Sequence, residues 1–191
     1  MSSVEFFYNG TWYRNELAAR WAIFLDTIDV GHRYESQGIE YEDTLYCWPD
    51  FWLPRLDCWI RTEERKPDRL CDQEARKLAL ATRKSVYVFF GLIGVPTDDT
   101  RSAYLYGPTF DTKADFAGVD FDEMYWWCQC PYCQQMGIQY QGRSARLPCR
   151  CVRLRKSSDN KTYTFDSPRL QIAYDDARRA RLDEYRLHTE G

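Results

Sequence analysis

Five of the eight cysteines of this chain fall in one short window: Cys128, Cys130, Cys133, Cys149 and Cys151. Cys130-Pro131-Tyr132-Cys133 reads as a knuckle, and Cys149-Arg150-Cys151 follows after an intervening loop. Two close pairs of thiolates joined by a loop can close a tetrahedron around one Zn²⁺. Disulfides are the alternative, disfavoured by a reducing compartment and by the crowding of 128, 130 and 133. The expected ligands are Cys130, Cys133, Cys149 and Cys151, with Cys128 as a possible replacement for Cys151. Four thiolates leave no open coordination position, so such a zinc folds a module rather than catalyses. Cys47, Cys58 and Cys71 read as buried packing residues.

The second group with chemical potential is acidic. Pro49-Asp50-Phe51-Trp52-Leu53-Pro54 is followed by Trp59-Ile60-Arg61-Thr62-Glu63. The run resembles the metal-binding hairpin of the PD-(D/E)XK nuclease superfamily, in which an Asp ends one strand and the next strand carries an acid, any residue, then Lys. That resemblance implies an Mg²⁺ held by carboxylate oxygens, polarising a phosphate and activating water. It also implies a Glu on the first helix. Here Asp50 is present, but Arg61 stands at the acid position, Glu63 at the Lys position, and Ala18 at the helical Glu. Shifting by two residues, which keeps the strand face, offers Glu63 as ligand with Arg65 in place of Lys. Glu16 and Glu35 are further candidate catalytic acids, and Glu40 lies on a neighbouring segment. Glu16 is about 200° around the helix from position 18, so it is no simple replacement.

Over most of its length the chain resembles a group of actinobacterial and phage-encoded proteins, in which a PD-(D/E)XK-like core precedes a zinc ribbon and an Arg-rich helix. The marks are 14–22, Tyr34-Glu35, 49–54, 86–91, 126–133 and 173–181. This implies an association with phage or mobile elements.

Charge is uneven although the net is only −3. Residues 1–66 hold 12 acids against 7 bases, and residues 143–191 hold 12 bases against 7 acids. Arg143, Arg146, Arg150, Arg153, Arg155 and Lys156 cluster in or beside the cysteine window, which suits contacts to DNA or RNA phosphates. A solubilising surface on a small module is the bland alternative.

These groups need elements to hold them. Leu17, Trp21, Phe24 and Leu25 recur at helical spacing between Arg14 and Ile28, with Asn15 as cap. Ile39–Tyr41, Thr44–Trp48, Phe51–Leu53 and Cys58–Thr62 read as a meander of strands. A helix is expected over about Arg69–Thr82, a buried strand over Ser85–Phe90, and a short strand at Ala103–Tyr106 in an otherwise loop-like stretch. Residues 137–142 read as one strand and turn of a ribbon. Ser167-Pro168 should open a final helix running to about His188. The expected fold class is α/β: a restriction-endonuclease-like core, a mixed sheet flanked by helices, over 1–117. A four-cysteine zinc ribbon over 118–160 and a C-terminal Arg-rich helix over 161–191 complete the division.

Of 191 residues, 7 are Trp and 14 are Tyr, so disorder is not expected over most of the chain. No apolar run spans a bilayer, and the first residues lack the basic and apolar regions of a secretory signal. A soluble cytoplasmic protein is expected. The absence of a Gly-rich phosphate loop disfavours nucleotide enzymes, and with only His32 and His188 available a Ser/His hydrolase is poorly supported. Three functions remain: a nucleic-acid-binding protein on a nuclease scaffold with catalysis lost or reduced, an active Mg²⁺-dependent endonuclease, and a phage-encoded inhibitor of a host defence protein.

Overall fold

The computed structural model describes residues 4–41, 45–95, 103–107, 125–140, 144–146, 149, 151 and 164–186. Its centre is a five-stranded mixed sheet. The strands are β3 (Arg33–Tyr34), β6 (Phe51–Leu53), β7 (Cys58–Glu63), β8 (Ser85–Phe90) and β9 (Ala103–Tyr106), in that spatial order. β3–β6, β6–β7 and β8–β9 are antiparallel pairs, while β7 and β8 are parallel and joined through α2 (Arg69–Thr82). The parallel pair explains the unbroken apolar run of β8, because both faces of that strand are covered. Tyr87 and Phe89 enter the cluster around α1 (Glu16–Thr27), and Val86 and Val88 enter the smaller cluster under α2.

Helix α1 is buried on nearly every side, with Ala18, Ala19, Trp21, Ala22, Ile23, Phe24 and Leu25 all in the core. Three aromatic contacts explain why its residues are so bulky. Trp21 meets Phe89 at 4.8 Å, Phe24 stacks on Tyr174 at 4.5 Å, and Phe24 meets Trp127 edge-on at 5.6 Å. Asn15 caps the start, its side-chain oxygen accepting from the Ala18 N–H at 2.7 Å. Asp68 does the same for α2 through the Cys71 N–H.

Phe24 thus joins three segments of the chain. Trp127 lies on β10 (Tyr125–Gln129) and Ile138 on β11 (Met136–Tyr140), two strands of a separate sheet completed by β12 (Ser144–Arg146). Tyr174 lies on α3 (Pro168–Arg179), and all three residues belong to the same buried cluster as α1. The ends of α1 and α3 are tied reciprocally. Arg20 donates to the carbonyls of Ala177 and Arg178, and Arg169 donates to that of Ile28. Each guanidinium satisfies carbonyls that a helix end leaves orphaned.

Three expectations need correction. The final helix stops at Arg179 rather than near His188: Ala180 has left helical geometry (ψ 135°), and β13 (Asp183–Arg186) follows. Arg178 and Arg179 are the cations of a last helical turn, and the residues beyond them pair with β1 (Val4–Tyr8). The strands from 39 to 62 are not one meander. β4 (Ile39–Tyr41) and β5 (Leu45–Cys47) pair only with each other, and the edge of the main sheet is the two-residue β3. Third, Asp50 does not end a strand but immediately precedes β6.

The hairpin of β1 and β2 (Thr11–Tyr13) was absent from the expected elements. Its sequence signal is Asn9-Gly10, both with positive φ (47° and 81°), as a tight two-residue hairpin turn requires. The inner face of this hairpin puts Tyr8 and Tyr13 near Asp26. Burial first, then the Asp26 carboxylate, pushes both phenols up to about 12 from about 10. A raised folded value means stability is fully present below pH 10 and lost as pH climbs through 12. Alkaline unfolding should therefore accompany, rather than follow, the phenolate absorbance rise. Normal titration of all tyrosines in a still-folded chain would contradict this.

Candidate functional site

Cys130, Cys133, Cys149 and Cys151 have sulfur atoms all within 4.8 Å of one another. A tetrahedral ion at about 2.3 Å from each sulfur sets S···S near about 3.8 Å, so a small contraction would seat one ion. The knuckle is built by the backbone. Cys130 N–H donates to the Gln135 carbonyl and Gln134 N–H to the Cys130 carbonyl, both at 2.9 Å, while Gln134 takes a left-handed φ of 62°. The turn aims the Gln135 N–H at the Cys133 sulfur, which holds that thiol below its usual range. Burial pushes Cys149 up to about 12, against a hydrogen bond from the Cys151 backbone and helped by the thiols of Cys133 and Cys130. Four sulfurs this close cannot all ionise without a cation between them. Gln129 pairs with Thr164 just ahead of α3, fixing the base of the knuckle to the core.

Cys128 is fully buried and lies outside this set of four, which includes Cys151. Cys58 and Cys71 are buried, as expected of packing residues, and the Cys47 side chain lies outside the described residues.

Asp50 has no exposed surface. One carboxylate oxygen accepts from the Thr62 backbone N–H at 2.6 Å and from its hydroxyl at 2.8 Å. The other accepts from the Arg14 guanidinium at 2.6 Å. Arg14 also donates to the carbonyls of Trp48 and Pro49, clamping the turn that carries Asp50. Burial pushes the carboxyl up, and Arg14 and Thr62 pull against it. Sequence reading did not single out Arg14 or Thr62, although Thr62 sits one residue from the expected acid position. The signal for it is strand alternation: Ile60 lies in the α1 cluster, so Thr62 shares that side and Arg61 and Glu63 share the other.

Arg61 and Glu63 accordingly face α2. The Arg61 guanidinium bonds Glu63 at 2.5 Å and also Glu74 of α2. With Arg65, Lys66 and Cys71 they line a cleft of about 560 Å³. Burial raises the Cys71 thiol to about 12, so it is no nucleophile at neutral pH. Glu16 is paired with Arg20 on the exposed side of α1, and Glu35 meets Asp50 only through its backbone N–H to the Asp50 carbonyl. Asp50, Glu63, Glu16 and Glu35 are therefore not brought together. Among the described residues, the cysteine set is the one group of three or more His, Cys, Asp or Glu placed to hold an ion.

Of the expected nucleic-acid contacts, Arg143, Arg150, Arg153, Arg155 and Lys156 lie outside the described residues, and Arg146 is described only as backbone of β12. No helix among the described residues is long and apolar enough to cross a membrane.

No family model matches this chain, and neither a curated protein nor a solved structure is significantly similar to it. What is established is a mixed α/β protein with helices on its central sheet and four cysteines able to bind one metal ion.

Proposed function

We propose that the chain is a nucleic-acid-binding protein on a nuclease-like scaffold, with metal-dependent hydrolysis lost or reduced, and with a structural zinc in its cysteine site. The observation that carries the loss of catalysis is the saturation of Asp50. Its two oxygens are taken by Arg14 and Thr62, and the Arg61 guanidinium pairs with Glu63 of the same strand and Glu74 of α2. A hard divalent cation needs several free carboxylate oxygens, and a carboxylate already neutralised by Arg has little to offer it. The order of helix, antiparallel strands, helix and parallel buried strand supports the nuclease-like scaffold.

The nucleic-acid part rests on charge. Between Arg143 and Lys161 seven bases face a single acid, next to the metal-binding knuckle. Zinc is the ion that suits four thiolates in a closed tetrahedron. Fluorescently labelled DNA and RNA, single- and double-stranded, test the reading in Mg²⁺ and Mn²⁺. Binding that weakens steeply with salt, without cleavage, is expected. Replacing Arg153 and Arg155 together by Ala should weaken binding several-fold on every sequence. Failure to bind any of the four at low salt removes the proposal, and cleavage abolished by Asp50→Ala establishes an active endonuclease instead.

A further inference from the structure

The sheet of β13, β1 and β2 packs one face on the core through Phe6, Tyr8 and Tyr13. Strand alternation and register send Glu5, Phe7, Trp12, Asp183 and Tyr185 to the other face. Phe7 lies directly across from Trp12, with ring centroids 4.9 Å apart, and Trp12 lies 5.9 Å from Tyr185. Their exposures are 36%, 44% and 56%, so three large rings form one continuous strip open to solvent. Single exposed aromatics are ordinary, but a contiguous strip marks a contact surface.

The charge on this face has one sign. Glu5 sits opposite Tyr185 and Asp183 opposite Phe7, and no Lys or Arg occupies a position of that parity among the described residues of the three strands. Aromatic faces flanked by carboxylates attract cations, and repel a phosphate backbone. Guanidinium fits best, because it stacks flat on a ring while donating two parallel hydrogen bonds to a carboxylate.

We propose that this face docks an extended, arginine-bearing segment of a partner protein, with guanidinium groups over Trp12 and Tyr185 and paired with Glu5 and Asp183. The surface is opposite in charge to the basic segment at 143–161, so the loss of nucleic-acid binding would leave it untouched.

Calorimetry on the full chain with an (Arg-Ser)₄ peptide tests it, with (Lys-Ser)₄, oligothymidylate and a neutral oligosaccharide as competitors. The arginine peptide should bind several-fold more tightly than the lysine peptide. Trp12→Ala should cost about tenfold in affinity, while Asp57→Asn, which removes one charge from the β6–β7 turn, should leave it unchanged. The double variant Glu5→Gln, Asp183→Asn keeps every ring and should also weaken binding several-fold, so the outcome survives a folding defect in Trp12→Ala. Equal binding by Trp12→Ala and wild type, an equal loss in Asp57→Asn, or stronger competition by the oligosaccharide overturns the proposal. So does a concentration-dependent dimer abolished by Trp12→Ala, which would assign the strip to a second copy of this chain.

Discussion

Stripping the ion from the cysteine site with a strong chelator should lower the midpoint of thermal unfolding by on the order of 10 °C. In isolated zinc-finger peptides the ion supplies about 10–16 kcal/mol, because nothing else holds the fold. Here Trp127, Met136 and Ile138 already lie in the core shared with α1, so only part of that sum should be lost. The part that goes is the knuckle and whatever it fixes, including the pairing of Gln129 with Thr164 at the entrance to α3. Elemental analysis should find one ion per chain, falling to none in Cys130→Ser with Cys133→Ser. The ion should leave on acidification, since protons compete for the thiolates. A chain that holds no metal, or whose unfolding ignores the chelator, would show that the four sulfurs are plain thiols or disulfides.

Arg14→Met should be the next most damaging change, costing about 3–5 kcal/mol at pH 8. It removes the counter-charge of a fully buried carboxylate and leaves the Trp48 and Pro49 carbonyls short of a donor. Without the guanidinium, burial is opposed chiefly by the Thr62 hydrogen bonds, and the Asp50 carboxyl rises further. A raised folded value contributes stability below the unfolded value near about 4 and loses it as pH climbs. The deficit of Arg14→Met should therefore be smallest near pH 4 and grow towards pH 8 in denaturant titrations. Adding Asp50→Asn should recover part of it, because the stranded charge is gone. A deficit that is small and flat with pH would mean that Arg14 is not what keeps Asp50 ionised.

The two sites differ in how legible they were from sequence. The cysteine ligands are set by local spacing, and Cys130-Pro131-Tyr132-Cys133 with Cys149 and Cys151 could be read directly. That Cys128 stands apart from the other four was not legible, because its burial follows only once β10 is laid on the core. Helices α1 and α2 are opened by Asn15 and Asp68, whose caps are local hydrogen bonds. Asp50 was visible, but its partners were not. Arg14 precedes α1 and Thr62 sits on β7, and only the folded sheet places both at one carboxylate. The segment after Arg179 misled for the opposite reason. Its arginines continue a helical composition, yet its structure is set by a distant strand.

That distant strand has a consequence for how the molecule assembles. Val4 is matched to Arg186 and Phe7 to Asp183, so β1 must await β13 before its ladder closes. Pairings across so much intervening chain carry a heavy loop-closure cost and form slowly. During synthesis β1 and β2 are a lone hairpin, too small to be stable in water, with aromatic side chains on both faces. The sheet can therefore close only after Arg186 has been made, and the nascent hairpin is the segment most in need of a chaperone.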